Sequence, residues 1–154
     1  MSGSGAPKMV VDASGLNVTI VATSWHTVIT DGLLAGAEKA LKSAGNTEYK
    51  VVRVPGAFEL PLAASLAIQN GADVVIALGV VIQGETPHFD YVCDAATAGL
   101  TRVQLDTSVP IGFGLLTVSN EQQALDRSGL AGSKEDKGAE AVEAAIMMKR
   151  LSFR

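Results

Sequence analysis

The chain has 154 residues with a formal net charge of −4, and 47% of them are hydrophobic. This length fits one domain, and the apolar fraction is too high for a disordered chain. The acidic balance argues against nucleic-acid binding through a general basic field. The single cysteine, Cys93, excludes an internal disulfide, and with no secretory signal pattern it predicts a cytoplasmic protein. The longest apolar run, Val74–Ile82, is far shorter than the roughly 18 residues of a membrane span.

Helices and strands are predicted to alternate along the chain. Residues 1–12 lack hydrophobic periodicity and are expected to form a flexible N-terminal tail, followed by a single α/β domain at 13–154. In chain order the domain is predicted to contain a strand at 17–22, a helix at 28–44, a strand at 49–54, a helix at 59–70, a strand at 73–82, a helix at 87–105, a strand at 111–118, and helices at 121–128 and 136–151.

This alternation predicts a three-layer α/β sandwich, in which helices cover both faces of a four-stranded parallel sheet. The strand at 73–82 is apolar on both faces, as a central parallel strand should be. Chemistry in such a sheet is expected at the carboxyl ends of the strands. The strand-to-helix junctions are therefore the places to search for a site.

The junction after the first strand holds the only tryptophan, Trp25. A planar apolar side chain there could stack on a flat heterocycle, or it could pack over the edge of the sheet. The neighbouring His26 is expected to be a surface residue at the start of a helix.

The junction after the second strand is stiffened by Pro55, Gly56 and Pro61. Glu59 would lie at a helix N-terminus, where the helix dipole favours a negative charge. It could serve only as a cap, or it could accept hydrogen bonds from substrate hydroxyls.

The junction after the third strand is the most informative one. Thr86 could cap the next helix with Pro87 at its first position, so the loop from Gly84 would present free N–H groups to an anion. Glu85 would repel an anion, which must then be held by the N–H groups and the Thr86 hydroxyl. His88 follows within reach, and an imidazole gains and loses protons near neutral pH. A purely structural role for His88 stays open.

The last junction contains Arg127, expected at the end of a short helix. Its guanidinium could bind a phosphate in a forked geometry, or it could simply compensate the helix C-terminus. The stretch 134–140 is expected to be a solvated charged turn, and Cys93 a small buried residue. Neither a metal-ligand spacing nor a dinucleotide or P-loop motif is present in the sequence. The residues alone thus predict a phosphate-plus-acid/base site without metal or cofactor.

Together, five motifs resemble the lumazine synthase family of riboflavin biosynthesis over about residues 15–151. In order they are GAFELP at 56–61, GVVIQGETPHFDYV at 79–92, FGLLT at 113–117, QALDR at 123–127 and KG at 137–138. The resemblance implies a flavodoxin-like fold. It also implies a cofactor-free condensation of 5-amino-6-(D-ribitylamino)uracil with 3,4-dihydroxy-2-butanone 4-phosphate, which yields 6,7-dimethyl-8-ribityllumazine and phosphate.

The same resemblance assigns roles to residues. Trp25 is expected to stack on the pyrimidine, and Glu59 to accept hydrogen bonds from the ribityl hydroxyls. The remaining pyrimidine and ribityl contacts are assigned to Ala57, Phe58, Val80, Val81, Ile82 and Phe113. The butanone phosphate is assigned to Gly84, Glu85, Thr86, Arg127 and Lys137. His88 is expected to transfer protons as the acid/base catalyst.

In this family Phe113 and Arg127 come from the neighbouring subunit, which implies active sites at the interfaces of a homopentamer. The connection at 128–135 is longer than in members that build icosahedral shells, so we expect it to prevent pentamers from joining. Asp136 stands where the family often has Asn, and it could pair with Lys137.

Two other functions fit parts of this pattern. The related riboflavin synthase dismutates two lumazines and needs no phosphate clamp, which makes Arg127 and the anion loop an argument against it. A non-catalytic flavin or lumazine carrier, or a shell protein, would not need His88 and Arg127.

Overall fold

The computed structural model describes residues 5–7 and 9–153. It contains the predicted alternation of strands and helices, which confirms the α/β fold. The strands are β1 (Val18–Thr23), β2 (Lys50–Val54), β3 (Val74–Ile82) and β4 (Ile111–Val118). The helices are α1 (Thr27–Ser43), α2 (Leu60–Gln69), α3 (His88–Thr107), α4 (Glu121–Leu125) and α5 (Lys137–Lys149), and a 3₁₀ turn (Ala57–Glu59) precedes α2.

The four strands form one parallel sheet in the order β2-β1-β3-β4. The central strands are apolar on both faces, because alternate residues pack into two separate cores. Ile20 and Ile76 belong to the core that also contains Leu33 of α1 and Ile146 of α5. The other core holds Val21, Val75 and Ala77 together with Leu60 of α2 and Leu100 of α3. Helices therefore cover both faces, as the sequence predicts.

Close packing of α1 against α5 depends on a small residue. Gly138, in the first turn of α5, is buried, and a Cβ there would overlap the backbone of Leu33. The carboxylate of Asp136 accepts a hydrogen bond from the N–H of Ala139 at 3.0 Å and so caps α5. Asp136 therefore acts as a helix cap, and the expected alternative, a pair with Lys137, is not the arrangement observed.

Most helix ends differ from the predicted ones by one to three residues, and three of these differences lie near the predicted site residues. The 3₁₀ turn delays α2 to Leu60, and α3 begins at His88 because the carbonyl of Pro87 accepts the first helical bond, from Asp90 N at 3.0 Å. Helix α4 ends at Leu125, so the prediction that Arg127 ends this helix is wrong. Arg127 N donates to the carbonyl of Ala124, three residues earlier, at 3.1 Å. This spacing is that of a 3₁₀ turn, so the chain at Arg127 is no longer α-helical.

The predicted tail at 1–12 is only partly described, since residues 1–4 and 8 lie outside the described residues. Val11 packs against the core, and Arg150 Nε donates to the carbonyl of Asp12 at 3.1 Å. The boundary at residue 13 stays a prediction. Among the described helices, none is both long and apolar enough to cross a membrane.

Candidate active site

A cavity of about 600 Å³ opens at the carboxyl ends of β1 and β3. The chain leaves β1 into α1, which packs on one face of the sheet, and leaves β2 and β3 into α2 and α3, which pack on the other face. This divergence creates a crevice between neighbouring strands, where ligands bind in open parallel sheets.

Eight of the residues assigned from the sequence line this cavity. They are Trp25, Ala57, Phe58, Glu59, Val80, Val81, Ile82 and His88. The remaining lining residues are His26, Gly56, Tyr91 and Val92, which had no assigned role. Helical spacing could have indicated Tyr91 and Val92, because they lie three and four residues after His88 and so share its helix face.

The wall after β1 is the turn that carries Trp25 and His26. The Trp25 ring lies beside Gly56 of the neighbouring turn, and the side chain is still 67% exposed, so most of it is available to a ligand. Its ring centroid lies 6.3 Å from that of His26, with the planes 48° apart. His26 has a left-handed backbone (φ 54°), and its carbonyl accepts bonds from Ile29 N and Thr30 N, both at 3.0 Å. A strained non-glycine residue at this place distinguishes His26 from an ordinary surface histidine.

The second wall, next to the first, is the turn from Gly56 to Glu59. Glu59 Oε2 accepts a hydrogen bond from Gly56 N at 2.9 Å, and Glu59 N donates to the carbonyl of Gly56 at 3.2 Å. These reciprocal bonds fix the short 3₁₀ turn. The side chains of Phe58 and Glu59 are exposed at the mouth of the cavity.

The first turn of α3 forms the third wall. His88 is the first residue of the helix and is exposed, with Tyr91 one turn further on. Thr86 caps this helix weakly, because the hydrogen bond that its hydroxyl oxygen accepts from His88 N is long, at 3.4 Å. Pro87 occupies the N-cap position instead of the first helical position that the sequence predicts. The loop residues Gly84, Glu85 and Thr86 are exposed and do not line the cavity.

Arg127 and Lys137 lie together elsewhere, in the connection between α4 and α5. Arg127 donates through Nη1 to the carbonyl of Gln123 at 2.8 Å, and its Nε lies 4.0 Å from Glu135 Oε2. Lys137 Nζ lies 3.2 Å from the same Glu135 oxygen and 2.7 Å from Glu140 Oε2. Neither cation lines the cavity of its own chain.

This cluster is more buried than a solvated charged turn. The side chains of Glu135 and Lys137 are only 11% and 16% exposed, so the expectation of a solvated turn at 134–140 is wrong here. Burial by itself would lower the pKa of Lys137, but its hydrogen bonds to Glu140 and Glu135 outweigh that effect and raise the pKa. Lys137 therefore stays protonated at neutral pH.

Phe113 also lies away from the cavity. It projects from β4 opposite Ala77 of β3 and is half-exposed.

Cys93, on α3, is partly buried. Its burial and, to a smaller extent, the nearby charges of Asp90 and Asp94 raise the pKa of its thiol. Among the residues that the structure describes, no cluster of three or more potential metal ligands occurs.

Known proteins resemble this chain over almost its whole length. Residues 15–152 match the family model described as 6,7-dimethyl-8-ribityllumazine synthase. The protein of that name from Kineococcus radiotolerans is 65% identical over 95% of this chain and 91% of its own length. Proteins with the same name from a Nocardioides species (59% identical, 97% of this chain and 94% of the relative) and Clavibacter michiganensis (60%, 95% and 92%) are similarly close. The chain belongs to the 6,7-dimethyl-8-ribityllumazine synthase family.

Proposed function

We propose that the cavity between β1 and β3 binds the pyrimidine substrate of this chain, and that His88 moves the protons of the reaction. The chain is a transferase that condenses 5-amino-6-(D-ribitylamino)uracil with 3,4-dihydroxy-2-butanone 4-phosphate to 6,7-dimethyl-8-ribityllumazine and phosphate. The observation that carries the proposal is that eight residues assigned from the sequence, at three separate strand-to-helix junctions, line one cavity.

The cavity walls suit a flat ring with a polar chain. Trp25 offers an exposed aromatic face for stacking, and the end of β3 supplies Val80, Val81 and Ile82 on the other side. Glu59, which is exposed at the mouth, would accept hydrogen bonds from ribityl hydroxyls. Recognition then combines apolar area with a few fixed polar groups, as in most small-molecule sites.

His88 supports a sequence of proton transfers. The aryl amine attacks the ketone and loses water to form a Schiff base, phosphate leaves, and the ribityl nitrogen closes the ring with loss of a second water. Each step moves protons, at nitrogen and oxygen in the two condensations and at carbon when phosphate is eliminated. An imidazole at the cavity wall contributes about 10²–10⁴-fold to such a reaction, and holding the two substrates side by side supplies much of the remaining acceleration.

Phosphate binding is assigned to Arg127, with support from Lys137, and the butanone segment to Gly84, Glu85 and Thr86, which lie outside the cavity of their own chain. Arg127 lies outside the cavity of its own chain, as does Phe113. We therefore propose that both residues complete the cavity of a neighbouring subunit in a homopentamer. The exposed apolar side chains of Phe58, Leu62 and Tyr91 near the cavity supply surface for such an interface.

The connection at 128–135 supports a pentamer that stays free. It folds back on itself, with Lys134 N and Glu135 N donating to the carbonyl of Asp126 at 2.8 and 2.9 Å. A loop held in this way would keep pentamers apart. Sedimentation should then give a particle of about 80 kDa, five chains of 15.9 kDa, whereas a sixty-subunit shell would contradict the proposal.

We place the protein in the cytoplasm, where a free thiol such as Cys93 persists.

Subunit mixing tests the shared site directly. Arg127→Ala and His88→Ala chains, unfolded and refolded together, should form interfaces in which an intact His88 faces an intact Arg127. Product fluorescence should then exceed that of either variant refolded alone. If a verified mixed oligomer recovers no activity, both residues belong to the site of a single chain. If folded wild-type chain forms no lumazine from the two substrates, the proposed enzymatic function is wrong.

A further inference from the structure

Arg53 of β2 reaches across the sheet to the turn that carries Trp25. Its Nη1 donates to the carbonyl of Thr23, the last residue of β1, at 2.9 Å. Its Nη2 forms an ion pair with Asp31, one turn into α1. One guanidinium thus contacts the chain on both sides of the turn, before it at Thr23 and after it at Asp31.

Ser24 ties the same turn to the second wall of the cavity. Its hydroxyl donates to the carbonyl of Val54 at 2.9 Å, and its N–H donates to the carbonyl of Pro55 at 3.2 Å. Pro55 directly precedes Gly56, where the second wall begins. The two cavity walls are therefore joined through Ser24 and Arg53.

Such ties matter because burial does not hold the aromatic wall. Trp25 and His26 are both exposed, and the left-handed backbone of His26 is costly for a residue with a side chain. A strained, exposed turn keeps one conformation only when surrounding contacts determine it. Near Trp25, the contacts from Arg53 and Ser24 are of that kind.

We propose that Arg53 is a positioning residue that fixes the Trp25 turn for stacking on the pyrimidine ring. This inference rests on the proposed function of the cavity. The bond to the Thr23 carbonyl is the essential contact, because a charge-assisted hydrogen bond to a fixed backbone atom is stronger than an exposed ion pair. The pair with Asp31 mainly orients the guanidinium. Fixing the turn before the substrate arrives lowers the ordering cost of binding.

The experiment uses the intact protein and its only tryptophan. Time-resolved anisotropy of Trp25 reports the mobility of the turn without any ligand, and steady-state kinetics give KM for each substrate. Arg53→Ala should enlarge the fast depolarisation of Trp25 and raise KM for the pyrimidine about fivefold. The KM for the butanone phosphate and kcat should stay within about twofold, since neither depends on this turn.

Matched variants separate the contacts. Asp31→Asn keeps the bond to Thr23 and should have a smaller effect than Arg53→Ala, and Arg53→Lys should restore only part of the loss because a lysine lacks the fork. Arg102→Ala, which removes an exposed arginine paired with Asp106 on α3, should leave the anisotropy and both KM values unchanged.

The outcomes distinguish the two claims. If Arg53→Ala matches Arg102→Ala in both readouts, the positioning role is wrong. If Arg53→Ala loosens Trp25 but Trp25→Ala leaves the pyrimidine KM unchanged, the assignment of the cavity to the pyrimidine is wrong, and the role of Arg53 toward substrate falls with it.

Discussion

The carboxylate of Glu59 accepts a hydrogen bond from the N–H of Gly56 at 2.9 Å, across the turn that forms one wall of the cavity. This bond uses Oε2, and no described residue donates to Oε1. One side chain is therefore able to do two things at once: it shapes the turn with one oxygen and presents the other to a ligand. The two roles are separable by substitution.

Glu59→Ala should raise KM for the pyrimidine substrate by about tenfold, because it removes the acceptor oxygens for the ribityl hydroxyls. Glu59→Gln keeps a neutral acceptor oxygen and should cost less. Steady-state kinetics with each substrate varied in turn provide the measurement. Equal losses for both substrates in Glu59→Ala would show that the turn, and not a contact with ribityl hydroxyls, is what the variant disrupts.

His88→Ala should lower kcat by about 10²-fold or more, because proton transfer is lost. The KM values should change little, since the side chain contributes mainly to the transition state. His26→Ala is the matched comparison, a second histidine of the same cavity, and should lower kcat far less. A loss in His88→Ala that lies mostly in substrate affinity would make His88 a binding residue.

Arg127→Ala should raise KM for the butanone phosphate by about 10- to 100-fold, as expected for one lost charged hydrogen-bonding group. It should also abolish competition by inorganic phosphate. Lys134→Ala removes a cation from the same loop, one that is exposed and paired with Asp126 at 3.0 Å, and should leave this KM unchanged. An Arg127→Ala effect confined to the pyrimidine would contradict the assigned phosphate clamp.

Asp126 should link the stability of the α4–α5 connection to pH. Hydrogen bonds from Lys134 and then Gln122 lower the pKa of this carboxyl below its ordinary 3.8. A lowered folded-state pKa stabilises the fold above pH 3.8, and this contribution disappears as pH falls through the folded-state value. The difference in unfolding free energy between wild type and Asp126→Asn should therefore be largest near neutral pH and shrink in acid.

Urea unfolding at a fixed chain concentration and several pH values measures that difference. Asp106→Asn, which alters an exposed ion pair on α3, controls for a general change of surface charge. A difference for Asp126→Asn that grows on acidification would contradict the role of its carboxylate.

The fold was predictable because its signals are local. The apolar run at Val74–Ile82 and the turn glycines Gly45 and Gly71, both with positive φ, marked a buried strand and two helix ends. Two boundary differences near the site fall where 3₁₀ hydrogen bonds compete with α-helical ones, at Glu59 and at Arg127. Such competition depends on geometry that a pattern of residue types does not contain.

Part of the candidate site was predictable on the same basis. Residues that follow parallel strands meet at one edge of the sheet, which brings Trp25, Glu59 and His88 to one cavity. His26 is exposed at the start of α1, as expected, but its left-handed backbone is invisible in the sequence. The charged stretch around Glu135 was assigned to solvent because its burial depends on how the loop folds back on α4.

By itself, the sequence determined the order of the elements, the two-sided apolar sheet and the motifs that mark its family, since these depend on residue type and spacing along the chain. Only the tertiary structure decided that Arg53 and Ser24 tie the walls of the cavity, that Glu135 lies between Arg127 and Lys137, and that Arg127 lies outside the cavity of its own chain. These relationships join residues distant in the chain, and hydrogen bonds and charges act over a few ångströms of space regardless of separation in sequence.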